Sequence, residues 1–166
     1  MTPENIRYTL GLGSNMHPRR STLNEAIGLI ESHCGEVTAL SHRYISEPWG
    51  FEADSWFINQ NITLCSPLPP LELLGQLQAI EHALGRRRNP SAQGYASRPI
   101  DIDILLAEER RMIHPRLHIP HPHLPERRFI LLPLIDLYPE GIHPTLGLPY
   151  AQLLAQCPDT GKCERL

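Results

Sequence analysis

The sequence predicts an α+β fold from three observations: an apolar run leading through a glycine-rich segment into a helical repeat, a second strand-then-helix passage, and a strictly alternating acidic strand after it. Arg7 to Leu12 reads as the first strand, with Gly11-Leu12-Gly13-Ser14-Asn15 as a glycine-rich turn at its end. Ser21 or Thr22 can cap the helix that follows, in which Leu23, Ala26, Ile27 and Ile30 recur at helical spacing. Val37 to Ser46 alternates loosely and stops at Glu47-Pro48-Trp49-Gly50. Phe57 to Leu64 is a further extended segment, able to pair with it, whose Asn59 and Asn61 face away from Ile58 and Ile62. Pro69 and Pro70 open a second helix with Leu73, Leu77, Ile80 and Leu84 as its apolar stripe, and Gly85 stands where a C-terminal cap is wanted. Ile100 to Leu106 then sets Ile100, Ile102 and Ile104 on one face and Asp101, Asp103 and Leu105 on the other.

The resulting order, βαββαβ, is the split arrangement of ferredoxin-like folds: a mostly antiparallel sheet packed with helices, here expected as a three-layer αβα structure. Residues 113 to 150 are too rich in proline to predict regular structure, although Phe129 to Leu134 is apolar enough to pack back on the core. A chain of 166 residues with one such pattern is expected to be a single domain, residues 1 to 166, and a monomer.

Charge is distributed unevenly. Residues 86 to 128 carry nine arginines against five acids, within a chain whose net charge is −3 and whose only lysine is Lys162. A planar guanidinium fork matches phosphate oxygens bidentately, whereas extended nucleic-acid binding wants a more basic whole. Cys34, Cys65, Cys157 and Cys163 show no CxxC spacing, and no apolar leader precedes the first strand, so a reduced, cytoplasmic protein is expected. No apolar run approaches the roughly 20 residues that span a bilayer.

Asp101 and Asp103 are the strongest chemical signal. Alternation puts both carboxylates on one side of a core-quality strand, about 6.5 to 7 Å apart, where like charges repel unless a cation intervenes. Oxygen-only ligation suits Mg²⁺, which keeps several waters and takes its other ligands from substrate phosphates. Arg86, Arg87, Arg88 and Arg98 precede this strand and Arg116, Arg127 and Arg128 follow it. Surface arginines are usually only solvated, but a metal flanked by arginines is the recurrent device of phosphoryl transfer. His114, His118, His121 and His123 could be imagined as a zinc site; with no cysteine nearby and prolines between them, donation to phosphate is the better reading. Phe57 and Asn59 share a strand face and could stack on and bond a flat heterocycle. These residues alone do not choose between a phosphotransferase, a metal-dependent phosphohydrolase and a nucleotide-binding module.

Tyr95-Ala96-Ser97-Arg98-Pro99-Ile100-Asp101-Ile102-Asp103-Ile104-Leu105 closely resembles the signature of the 6-hydroxymethyl-7,8-dihydropterin pyrophosphokinase family. Gly11 to Asn15, Ser46 to Gly50, Phe57-Ile58-Asn59, Gln78 to Glu81, Gly85 to Arg88 and Ile119-Pro120-His121-Pro122 through Phe129 extend the resemblance over most of the chain. It implies transfer of pyrophosphate from ATP to the pterin hydroxymethyl group, releasing AMP, with two Mg²⁺ ions held by Asp101 and Asp103. It further implies that Arg88, Arg98, His121 and Arg127 contact the triphosphate, and that Leu74, Gln78, Glu81, Arg116 and backbone near Ile104 and His118 line the nucleotide site. Phe57 and Phe129 would sandwich the pterin, with Asp101, Asn59 and the turn from Ser46 through Glu47 to Trp49 at its edge. Arg88, Arg98, Asp101 and Asp103 carry the catalytic roles in this resemblance. The segments at 13 to 21, 48 to 56 and 86 to 98 correspond to loops that close over ATP.

Overall fold

A computed structural model describes residues 4–15, 18–47, 56–85 and 99–166. Its elements are β1 (Ile6–Ser14), α1 (Arg19–His33), β2 (Glu36–Leu40), β3 (Tyr44–Ser46), β4 (Phe57–Ser66), α2 (Pro70–Ala83), β5 (Asp101–Ala107), β6 (Met112–His114), β7 (Leu117–Ile119), α3 (Arg128–Leu137), α4 (Tyr150–Ala155) and β8 (Cys163–Arg165). One antiparallel sheet runs in the order β5-β1-β4-β3-β8, with β2 also paired to β4. The expected βαββαβ core is present, its second strand divided in two.

Strand alternation sends Tyr8, Leu10, Leu12, Ile58, Ile62, Leu64, Ile102 and Ile104 to one face, where Leu23, Ala26 and Ile30 of α1 and Leu73, Leu77 and Ile80 of α2 complete an apolar core. The opposite face carries a second cluster, in which Leu105, Leu106 and Leu124 meet Ile130, Leu131 and Leu134 of α3 and Tyr150 and Leu153 of α4. Leu105 and Leu106 are consecutive yet share this face, because the β1–β5 register slips between Thr9 and Leu10. The layers are therefore αβα, as the sequence predicts. Gly85, at φ 100°, ends α2 in the left-handed conformation expected of it.

Four local expectations change, and one element was not expected at all. The segment Gly11 to Ser14 is the continuation of β1, since both of its sides are occupied by strands that need a close neighbour more than a turn. Helix α1 starts earlier, with Pro18 at its N-cap, and the Ser21 and Thr22 hydroxyls donate back to the Pro18 carbonyl from inside the first turn at 3.2 and 2.8 Å. The stretch from 37 to 46 breaks at Ser41 to Arg43, because the ten-residue β4 is long enough to pair with two short strands in succession. Residues 113 to 150 hold more regular structure than expected: Pro115 sits in the tight β6–β7 turn, Pro125 lies in the first positions of a short 3-10 turn and Pro149 caps α4, all positions that need no N–H, while Pro133 is carried inside α3. Finally, the end of the chain returns to the sheet as β8.

Candidate active site

Across the α3-facing side of the sheet, β1 lies between β4 and β5, and its two glycines set the relief. Gly13 is paired with Asn59 on one side and Asp101 on the other; Gly11 is paired with Asn61 and Asp103. Each row thus reads amide, bare backbone, carboxylate, with about 10 Å between the outer Cα atoms, twice the interstrand spacing. A Cβ on Gly11 would come within 3.1 Å of Leu105 and 3.4 Å of Asn61 Oδ1, so that row is already roofed by side chains. A Cβ on Gly13 would meet Asn59 Oδ1 at 3.0 Å and Phe57 Cδ1 at 3.7 Å, which puts Phe57 and Asn59 together beside the second row. Sequence reading took these glycines for a turn; their use as the floor of a trough could be recognised only once the neighbouring strands were placed.

The amide side is tightly held. Asn59 is buried, and its Nδ2 donates to the buried Ser46 Oγ of β3 at 2.6 Å. Asn61, two residues along, donates from Nδ2 to the Ile130 carbonyl at 3.0 Å and so fixes the first turn of α3 over β4. Tyr44 O–H donates to Asp136 Oδ2 at 2.7 Å, and the Tyr138 hydroxyl lies 2.8 Å from Thr9 Oγ1 and 3.2 Å from that of Thr63, fastening the rest of α3 to β3, β1 and β4. Phe129 belongs to that fixed first turn, with the Arg127 guanidinium carbon 5.6 Å from its ring centre. The adjacent Arg128 keeps a buried Nε that has no partner among the described residues.

The carboxylate side lies at a sheet edge. Asp101 is half-buried and Asp103 exposed. On the far side of β5, the buried Glu81 of α2 accepts the Ile102 N–H on Oε2 at 2.9 Å. Glu81 therefore holds β5 in place directly. Ile104, two residues on, directs its backbone groups toward the same open edge by alternation. Leu74 is half-buried against the apolar core and Gln78 is exposed on α2. Along the same edge the His121 N–H donates to the Leu105 carbonyl at 2.9 Å, and the β6–β7 hairpin brings Arg116, in its turn, and the exposed His118, on β7, alongside. The residues expected to line a nucleotide site thus gather around the outer edge of β5, with α2 on one side and the hairpin and its sequel on the other. Trp49, Arg86, Arg87, Arg88 and Arg98 lie outside the described residues.

His121 has a defined state. Burial first, then the charges of Arg127 and His123, push its pKa down to about 4, so the ring is neutral at pH 7. Its Nδ1 accepts the His123 N–H at 3.2 Å, which leaves the ring proton on Nε2 as a hydrogen-bond donor. His114 likewise accepts the Arg116 N–H on Nδ1 at 3.1 Å, and His123 Nδ1 faces Glu126 Oε2 at 3.1 Å. These histidines are each engaged locally, and no three His, Cys, Asp or Glu side chains converge among the described residues.

A family model described as 7,8-dihydro-6-hydroxymethylpterin-pyrophosphokinase (HPPK) matches residues 9–139. The chain belongs to this family. A 2-amino-4-hydroxy-6-hydroxymethyldihydropteridine pyrophosphokinase of Pseudomonas aeruginosa is 39% identical over 161 residues, covering 96% of both chains. One of Porphyromonas gingivalis is 40% identical over 141 residues, 84% of this chain and 95% of that one. A folate synthesis bifunctional protein of Arabidopsis thaliana is 38% identical over 77% of this chain but only 26% of its own length. A solved HPPK-DHPS structure of Plasmodium falciparum superposes with a TM-score of 0.74 at 17% identity, over 93% of this chain and 46% of that one, and supports the fold. The protein is accordingly an enzyme, a pyrophosphokinase. Among its described residues no helix is long and apolar enough to cross a membrane.

Proposed function

We propose that this pyrophosphokinase transfers the terminal pyrophosphate of ATP to the hydroxymethyl group of 6-hydroxymethyl-7,8-dihydropterin in folate biosynthesis, acting as a monomer of one domain. The observation that carries this reading is the row Asn59, Gly13, Asp101, a backbone-floored slot with a buried amide and Phe57 at one end and a carboxylate at the other. A flat heterocycle with a hydrogen-bonding edge fits the amide end, its ring between Phe57 and Phe129. Its hydroxymethyl arm then points along the row toward Asp101. Ser46, Glu47 and Trp49 complete the pterin edge.

Two carboxylates on one strand face, neighboured on β1 only by glycines, suit magnesium better than zinc or calcium, whose sites draw more ligands from the protein. Asp101 and Asp103 would hold it, two ions with ATP bound, and it would supply charge neutralisation on the phosphate oxygens. Gln78, Glu81, Leu74, Ile104, Arg116 and His118 line the nucleotide side at the β5 edge. Arg88, Arg98, Arg127 and the His121 Nε2–H contact the triphosphate, the last without a desolvated charge of its own. The pterin hydroxyl oxygen attacks the β-phosphorus in line; its bond to phosphorus forms as the bond from that phosphorus to the AMP oxygen breaks, and the hydroxyl proton leaves to solvent. Positioning and electrostatics supply the rate, and the arrangement asks for no dedicated base.

Product analysis tests the proposal. ATP, Mg²⁺ and the hydroxymethyl dihydropterin should yield AMP and the pterin diphosphate in equal amounts. ADP or orthophosphate as the only product would overturn it in favour of another phosphotransferase or a hydrolase.

A further inference from the structure

The matched family region ends at residue 139, yet the last eight residues make contacts with both walls of the slot. Asp159 is buried, and its carboxylate is divided between two donors: Oδ2 accepts the Arg128 N–H, the first of α3, at 3.1 Å, and Oδ1 accepts the Gly161 N–H at 2.9 Å. The first bond caps, from a distant part of the chain, a helix whose own N-cap, Arg127, makes no side-chain cap bond. The second shapes the turn that delivers Lys162 to Glu47. There the Lys162 N–H donates to Glu47 Oε1 at 2.5 Å and the Glu47 N–H to the Lys162 carbonyl at 3.2 Å. β8 follows, pairing Cys163 with Ser46, Glu164 with Ile45 and Arg165 with Tyr44, and the Leu166 N–H donates to the Arg43 carbonyl at 2.9 Å. Burial pushes the Cys163 thiol up to about 11, with Arg128 opposing and Asp159 reinforcing the rise.

We infer that the tail from Asp159 to Leu166 frames the pterin slot, with Asp159 as a positioning residue that links the α3 turn bearing Arg127 and Phe129 to the β3 end bearing Ser46 and Glu47. The inference rests on the pyrophosphokinase reading. Ser46, held from one side by β8, receives the Asn59 amide on the other, so the link reaches the row itself. The tail thereby sets the distance between the aromatic wall and the amide wall. It does so together with the Asn61–Ile130 bond, which ties the same turn of α3 to β4.

Three variants are to be compared with wild type in steady-state kinetics, thermal melting and fluorescence titration of the pterin in the presence of a non-hydrolysable ATP analogue: Asp159→Ala, Asp159→Asn, and a truncation after Gly161. Asp159→Ala should raise the pterin KM and dissociation constant about tenfold while the KM for ATP moves less than about threefold. Asp159→Asn, which retains one of the two acceptors, should fall between wild type and alanine. The truncation keeps the α3 cap but removes β8, and should also weaken the pterin selectively, so the inference stays testable if Asp159→Ala does not fold. Unchanged pterin binding in the folded variants, or a parallel rise in both KM values that follows melting temperature, would overturn the inference. A wild-type enzyme that makes no pterin diphosphate would overturn the underlying reading together with it.

Discussion

The two faces of the sheet are built from alternate residues of the same strands and have opposite fates. Under α1 and α2, Tyr8, Leu10, Leu12, Ile62 and Leu64 are fully or nearly fully buried, and the Tyr8 hydroxyl, its pKa pushed up to about 12 mainly by burial, donates to the Leu68 carbonyl at 2.6 Å. Under α3, the same strands present Thr9, Gly11, Gly13, Asn59, Asn61, Asp101 and Asp103. That face meets α3 through the smaller apolar cluster around Leu105 and Leu106 and through hydrogen bonds at one end, and leaves a glycine row at the other. A sheet can therefore be anchored mainly by one apolar face while part of the other carries polar groups that contribute little to stability, provided that each buried one has a partner. The pairs Asn59–Ser46 and Asn61–Ile130 meet that condition.

The contrast can be broken from either side. The largest effect is expected at the carboxylates: Asp101→Ala or Asp103→Ala should lower kcat on the order of 10²- to 10³-fold with a melting temperature changed by a few degrees at most, and chelation of magnesium should mimic it. Activity lost in proportion to stability would erase the distinction between the faces. Leu77→Ala, from the other side, should cost about 2–5 kcal/mol in urea denaturation and leave kcat per folded molecule unchanged. Gly13→Ala inserts a methyl 3.0 Å from Asn59 Oδ1. It should raise the pterin KM about tenfold, with the KM for ATP unaffected, in steady-state kinetics.

The smallest effect concerns His121. Its folded pKa of about 4 lies below the ordinary value of 6.5, so between those limits the unfolded chain binds more protons and stability must fall as pH drops. The contribution is complete above pH 6.5, declines toward pH 4 and is flat below. His121→Gln should remove this part of the slope, at most about 1.4 kcal/mol per pH unit, as read from denaturation midpoints at pH 5 and pH 7. Phosphates beside the ring should raise its pKa, which NMR titration with and without ATP would detect.

Most of the fold was legible because its signals are local. The stripe of α2, the cap at Gly85 and the alternation of β5 each depend on residues a few positions apart, and each formed as predicted. The proline-rich second half was misjudged for the converse reason: Pro115, Pro125 and Pro149 stand where no N–H is needed, and which N–H groups are needed depends on partners elsewhere. The candidate site was legible in the faces its residues share. Asp101 and Asp103, and Phe57 with Asn59, fall on shared faces by alternation alone.

What the sequence determined by itself, then, was the set of chemical groups and the face each would occupy, since side-chain direction along a strand or helix follows from its period. Tertiary structure decided which groups meet. Gly13 became a floor because β1 lies between β4 and β5; Glu81 became a brace for Ile102 because α2 passes behind β5; Asp159 became a cap for α3 because β8 returns to β3. Each depends on strand order and register, which follow from the packing of the whole chain, and no short stretch of sequence contains them.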